Sequence, residues 1–574
     1  MSDIRNLILA VIISIILVMG WRFIYEKVFI QHDNIRKNIS ADSMLPEVDN
    51  ELFEYKSKSE IVNQGSRIKV YNKEINGSIA LKGGIIDDIT LANYHISTDK
   101  KSNGITLLSP HGTEKAYFAE FGWIDPSHTI KLPDKNTVWK YDNDELTSNS
   151  SISLYWDNTQ GIIFKLKIHL DDDYMFTVEQ IIKNNTNSIV NLIPYGRINR
   201  LHNSNDQSHW ISHEGAVGGF RSTIKEWTYK ELISKENIKY IPEPLHKENA
   251  WIGLTDKYWF VALIPANIGN NKITFHAKHA THNHEHYFQV DFSRSYQKTL
   301  PYASSHIESY LFVGAKKLSI LDKYKDTLSI PLFDKAVDFG ILYFITKPVF
   351  LLLEYFHKII GNFGLSILML TVLIKLIMLP LSNRSYISMF KLKQIQPQIS
   401  KIKELYKNDT LKTNKEIALL FKKYDVSPIS SFLPILIQIP VFFALYKVLF
   451  ITIEMRHAPF FLWIKDLSSA DTANILTLFG IIKFTPPICV GILPVILGIT
   501  MIIQQKISDH SHDQAHYSIM KYLPYIFIFI FSSFPAGLII YWICSNTITI
   551  LQQLIIKHFI LKKKQFTTKI VTGS

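Results

Sequence analysis

Apolar residues along this chain come in two textures. One is the long uncharged run: Leu7 to Met19 near the start, then Phe363 to Leu381, Phe432 to Phe450, Ile488 to Ile503, Ile519 to Phe534 and Gly537 to Ile556. The other is short alternation, as in Ser151-Ile152-Ser153-Leu154-Tyr155, Ile162-Ile163-Phe164-Lys165-Leu166-Lys167-Ile168 and Tyr287-Phe288-Gln289-Val290-Asp291-Phe292. A bilayer core takes about 20 residues of helix to cross, so the first texture predicts six transmembrane helices. The second, broken by Asn, Asp, Gly and Pro clusters between residues 66 and 330, predicts many antiparallel strands and an all-β sandwich. After the first run stands Gly20-Trp21-Arg22-Phe23 and no small-x-small cleavage site, so that run reads as a retained signal anchor.

Charge orients the spans. Between the second and third runs lie Arg384, Lys391, Lys393, Lys401, Lys403, Lys407, Lys412, Lys415, Lys422 and Lys423, and the tail carries Lys562, Lys563 and Lys564. Both segments belong on the cytoplasmic side by the positive-inside rule. Six spans then leave both termini inside and place the polar domain in the periplasm. The predicted division is a signal-anchor span over residues 1–25, a periplasmic β-sandwich domain over 26–331, an interfacial amphipathic helix over 332–361 with Pro348 as a kink, and a second span over 362–382. A cytoplasmic helical hairpin over 383–431, a third span over 432–451, a periplasmic loop over 452–487 and a fourth span over 488–504 follow. A cytoplasmic loop over 505–517, a fifth span over 518–535, a sixth over 537–557 and a cytoplasmic tail over 558–574 complete it. Within the hairpin, Thr413 with Glu416 three residues on predicts a capping box opening the second arm.

Composition agrees with a mixed protein: of 574 residues, 47% are hydrophobic and 20% charged, too polar for an all-membrane transporter and too apolar for a soluble protein. The net charge of +12 sits beside apolar runs, which fits membrane topology better than nucleic-acid binding. Cys489 and Cys544 both lie in apolar segments, so the polar domain folds without a disulfide. It carries no Walker loop, Rossmann fingerprint or nucleophile elbow, hence no enzyme signature and no cofactor. His276, His279, His282, His284 and His286 cluster there. The last three alternate, which would put them on one face of a strand, yet no carboxylate or Cys completes a usual ligand set, and a solvated strand face is the commoner meaning.

The chemistry-bearing feature is Lys375, alone inside the second run. A Lys at the centre of a span costs roughly 2.5 to 3.5 kcal/mol, so it is expected to face protein or water and to serve a function. Its stem could instead carry the amine toward the cytoplasmic interface, since Leu381 is only about 9 Å further along the axis. Thr371 one turn away, with Gln438, Tyr541, Ser545 and Asn546 on other spans, favours a wet cavity.

Several separated motifs now stand in order: Gly361-Asn362-Phe363-Gly364, Ile377-Met378-Leu379-Pro380-Leu381, Gln396-Pro397, Leu436-Ile437-Gln438-Ile439-Pro440, Phe443-Ala444-Leu445-Tyr446, Ala458-Pro459-Phe460, Phe534-Pro535-Ala536-Gly537-Leu538, Tyr541-Trp542 and Ser545-Asn546. Together they resemble the YidC family of membrane protein insertases over about Leu332 to His558, and the single span plus β-domain ahead of them matches its Gram-negative layout. The resemblance implies a five-helix core whose groove opens to cytoplasm and lipid and is closed toward the periplasm. Lys375 falls where most bacterial members carry Arg. Thr371, Gln438, Ser545 and Asn546 are then expected as groove polar residues, and Tyr541 and Trp542 as contacts for the substrate. Nascent membrane proteins and the lipid bilayer are the implied partners, with the Sec translocon, the signal recognition particle receptor and the ribosome as further candidates. Two rivals differ in class. A small-solute transporter would show inverted repeats and paired broken helices, and neither is visible. An enzyme or carbohydrate-binding module in the β-domain would need a recognisable acid pair or nucleophile.

Overall fold

The computed structural model describes residues 55–202, 212–235, 237–242, 249–266, 272–282, 285–340, 342–425, 433–473, 490–508 and 514–571. The expected signal anchor and His284 lie outside the described residues. The chain divides near residue 341 into a β-rich unit and a helical unit.

Period-two alternation becomes two sheets. An 11-stranded sheet runs from the edge strand Asn237–Tyr240 through Ile273–His282, Glu285–Arg294, Val190–His202, Tyr117–Ile124, Ile85–His95, Ile75–Ala80 and Arg67–Tyr71 to Glu145–Leu146, with two further strands pairing beside this path. A 9-stranded sheet runs from Thr223–Thr228 through Gly215–Phe220, Trp251–Thr255, Trp259–Pro265, Ser304–Ala315, Met175–Asn184, Ile162–Leu170 and Ser151–Asp157 to Lys140–Tyr141. In strand Ile162–Leu170 the side chains of Phe164, Leu166 and Ile168 are buried, while Lys165 and Lys167 are only partly covered. That alternation is what lets one face meet the other sheet. Trp123 and Phe164 touch across the sandwich with ring centroids 5.0 Å apart, and Phe220 meets Phe275 at 5.2 Å. Phe164, Phe176, Phe260, Phe312 and Phe333 are fully buried, and each such ring contributes about 1.5–3 kcal/mol. Among the described residues, the short helices α1 (Lys58–Gln64), α2 (Tyr229–Lys235) and α3 (Leu318–Thr327) accompany the sheets.

The clustered histidines do not share one strand face. Strand Ile273–His282 ends at His282 and its hairpin partner begins at Glu285, so His282 and His286 stand on different strands. Tight alternation hides the break between two antiparallel strands when the residues flanking it are polar. His276 is buried with its Nδ1 2.7 Å from Asp291 Oδ1, and His279 Nε2 lies 2.9 Å from His286 Nδ1. Among the described residues no group of three or more His, Cys, Asp or Glu could hold a metal ion.

The helical unit contains α4 (Tyr343–Ile360), α5 (Phe363–Leu405), α6 (Thr410–Tyr424), α7 (Leu433–Ile451), α8 (Ile492–Ser508), α9 (Gln514–Phe531) and α10 (Ala536–Val571). Phe363–Leu405 and Ala536–Phe559 are long and apolar enough to cross a membrane, and Leu436–Ile451, Ile492–Ile507 and Tyr522–Phe531 are shorter apolar helices. The amphipathic helix expected from residue 332 starts at Tyr343, because Phe333 is instead fully buried in the β-rich unit, edge-on to Trp251. Second span and first hairpin arm are one continuous 43-residue helix, α5, with Pro380 and Pro397 inside it. The second arm, α6, begins three residues before Thr413. Its N-cap is Asp409, whose Oδ1 accepts from Lys412 N at 2.9 Å, while the Thr413 hydroxyl donates to the carbonyls of Tyr406 and Asp409. Asp is as good a cap as Thr, so the earlier of two candidates starts the helix. Ile395 and Ile399 of α5 close the hairpin against Ile417, Leu420 and Phe421.

Candidate functional site: a polar pocket around Lys375

The segment after α7 folds back on the start of the long helices. Backbone bonds run from Ala536 N to Ser469 O (2.7 Å) and from Gly537 N to Leu467 O (3.0 Å). Gly364, at the start of α5, lies directly under the Phe460 ring. Asp471 accepts from Trp463 Nε1 at 2.9 Å and from Leu493 N at 2.8 Å, capping α8 from a distance. This end of the unit is therefore packed by loop side chains and satisfied backbone groups.

Eleven residues along α5 from Gly364, about 16 Å at 1.5 Å per residue, the packing changes character. Lys375 Nζ donates to Thr549 Oγ1 of α10 at 3.0 Å and to Gln438 Oε1 of α7 at 3.4 Å. Gln438 Nε2 in turn donates to Ser545 Oγ at 3.0 Å, which fixes the amide so that its oxygen faces the ammonium. The Tyr541 hydroxyl lies beside Gln438. Three helices thus supply one connected polar set. Among the described residues no carboxylate pairs with Lys375. An ammonium has three N–H donors, so two acceptors leave one for water or for a guest.

The expected site residues divide. Lys375, Gln438, Ser545 and Tyr541 come together. Asn546 is buried but bonds elsewhere, its Nδ2 donating to Thr500 Oγ1 of α8 at 3.2 Å. Thr371 is fully buried, and its hydroxyl donates to Ile367 O of its own helix at 2.7 Å. Trp542 is partly exposed and joins rings from α7 and α9: Phe442 at 4.9 Å and Phe531 at 4.6 Å. Tyr541 is 2% exposed. Thr549 was not anticipated. Its signal was spacing, because Tyr541, Ser545, Thr549 and Gln553 recur every four residues and all four are buried. Past Thr549 the same two helices stay polar: Gln552 Nε2 donates to Asn383 Oδ1 at 2.7 Å, and Ser382 and Ser385 are buried.

Comparison with known proteins adds to this geometry. The family model described as 60Kd inner membrane protein matches residues 355–564, and that of the YidC periplasmic domain matches residues 67–352. A membrane protein insertase YidC of Rickettsia prowazekii is 42% identical over 570 residues, covering 97% of this chain and all of the relative. The chain belongs to the YidC family of membrane protein insertases. The YidC of Rickettsia typhi is likewise 42% identical over 562 residues. An active YidC insertase crystal structure covers 85% of the chain and 92% of its own, at 16% identity and a TM-score of 0.34. A galactose mutarotase related enzyme from Lactobacillus acidophilus covers 43% at 9% identity and a TM-score of 0.30. Both TM-scores are low, so membership rests on the sequence matches. As a YidC-family insertase it acts on nascent membrane proteins in the inner membrane, holds its β-rich domain in the periplasm, and belongs to no enzyme class.

Proposed function

We propose that the Lys375 ammonium, held in place by its polar neighbours, receives the hydrophilic tail of a client membrane protein and shortens the apolar distance that the tail must cross. Each unsatisfied backbone group in hydrocarbon costs several kcal/mol, which is the barrier an insertase lowers. The observation that carries this reading is an ammonium at span depth, held by neutral acceptors from two other helices, with no counter-ion among the described residues. A buried cation without a counter-ion is costly, and water in the pocket relieves that cost. An acidic tail would be attracted to the remaining N–H, because no fixed carboxylate among the described residues competes for it, and would be released again as the client helix enters lipid. No bond is made or broken. The driving force is the client's own burial in lipid, about 0.8 kcal/mol per CH₂, with the membrane potential adding about 2.3 kcal/mol per charge per 100 mV.

In this reading six spans cross the membrane with both termini cytoplasmic, and the pocket opens toward the hairpin of α5 and α6. The packed loop end at Gly364 and Ala536 supports closure toward the periplasm. The partly exposed rings of Trp542 and Phe442 offer the client's apolar helix a surface, and Tyr541 is reached once α7 and α10 part. Delivery by ribosome or signal recognition particle receptor, and cooperation with the Sec translocon, belong to the same proposal.

The test is reconstitution of the full chain in liposomes with a single-span client bearing an acidic tail. Lys375→Arg should insert at the wild-type rate, since the charge is kept. Lys375→Ala should slow insertion about tenfold, the scale of one lost hydrogen bond to a charged group, and Lys375→Glu should slow it more. Unchanged insertion by Lys375→Glu overturns the electrostatic role.

A further inference from the structure

A lysine stem has four rotatable methylenes, and one placed toward the cytoplasmic half of a span tends to carry its amine to the headgroups. Arg384 marks the polar end of this span only nine residues, about 13 Å, beyond Lys375. Something must hold the ammonium at depth. Of its two acceptors, Gln438 Oε1 stands at 3.4 Å, near the limit of a hydrogen bond, and Thr549 Oγ1 at 3.0 Å. Thr549 is buried, and the Tyr386 hydroxyl lies beside both it and Gln553. The neighbouring Gln552–Asn383 bond of 2.7 Å ties α10 to α5 next to it. The threonine therefore sits on a helix pair fixed by several polar contacts, whereas Gln438 comes from a third helix.

We propose that Thr549 is a positioning residue of the insertase: its hydroxyl oxygen anchors the Lys375 ammonium against α10, keeping one N–H at the depth where an acidic client tail is met. The inference rests on the groove reading above and deepens it, because it makes selection of acidic over neutral tails depend on a residue that itself touches no client. Without Thr549 the amine swings toward the headgroups, and acidic tails lose their advantage. Neutral tails, which gain nothing from the charge, are inserted as before.

The experiment compares the full-length wild type with Thr549→Val, Thr549→Ser and Lys375→Ala in liposomes, using two clients with one hydrophobic segment and either an acidic or a neutral tail. Thr549→Val keeps the volume and removes the acceptor. It should slow the acidic-tail client about tenfold, the fold-change of a lost charge-assisted bond, and leave the neutral-tail client within about twofold. Thr549→Ser should restore the acidic-tail rate. Thermal unfolding of each variant reports folding, and if the valine variant unfolds, Thr549→Ala must give the same client-selective loss. Equal slowing of both clients, or no slowing of either while Lys375→Ala is impaired, overturns the positioning role and leaves the groove reading standing. Full activity of Lys375→Ala on the acidic client overturns the groove reading, and this inference with it.

Discussion

At the scale of single residues, two positions far apart in sequence meet at a point with no spare volume. A Cβ on Gly364 would overlap a ring carbon of Phe460. Gly364→Ala should therefore shift either the start of α5 or the loop that covers it, destabilising the helical unit by about 1–3 kcal/mol as overpacking does. The readout is the thermal unfolding midpoint of the detergent-purified protein, and Phe460→Leu in the same chain should recover part of the loss. Lys375, Gln438, Ser545 and Tyr541 were legible in the sequence because a polar group in an apolar run has few inexpensive explanations. Thr371 and Asn546 looked equivalent and are not. A threonine hydroxyl can satisfy itself on the carbonyl four residues back, as Thr371 does, so its presence in a span carries no directional information. Thr549 is the converse: it passes for an ordinary helix residue until its four-residue spacing from Ser545 and Tyr541 is noticed.

At the scale of elements, alternation identified the strands but not which polar residues they would bury. Glu120, Arg197, Asp291 and His276 stand directly opposite one another across four neighbouring strands, the last two buried and the first two partly covered. Register decides such rows, and register depends on turns that residue patterns leave open. The first strands hold another buried pair, Arg67 with Asp87. Burial is the largest influence on Asp87 and pushes its carboxyl up to about 6, against the pull of Arg67. A carboxyl raised on folding favours the protonated native state, so its stabilising contribution is present below pH about 4 and lost as pH rises through 6. Chemical denaturation of the wild type and of Asp87→Asn should then show the wild type's relative advantage greatest near pH 4 and declining by about 2–3 kcal/mol toward pH 7. A difference independent of pH would contradict this. Helix ends were the other blind spot. The two arms of the hairpin were foreseen, but α5 passes from the membrane segment into the first arm without a break, because Pro380 falls where a long helix tolerates it.

At the scale of the whole molecule, the two textures of apolar sequence correspond to two units with different solvents. The β-rich unit buries its rings between sheets. The helical unit keeps large side chains such as Leu436, Phe443, Tyr525 and Phe529 exposed, as lipid-facing helices do. The hairpin is a third kind of element, closed by a small apolar cluster around Ile395 and Ile399 and basic outside. Removing residues from Lys401 to Lys423 should leave the membrane helices folded, since that cluster lies wholly within the hairpin. It should impair delivery, seen as failure of the deletion to support growth when the wild-type protein is depleted. Normal growth would assign the hairpin no receiving role. The carboxylate of Asp471 accepts from Leu493 N, 22 residues downstream. During synthesis this acceptor leaves the ribosome before the helix that it will crown. An insertase must itself be inserted, and here the group that caps a late helix is translated ahead of it.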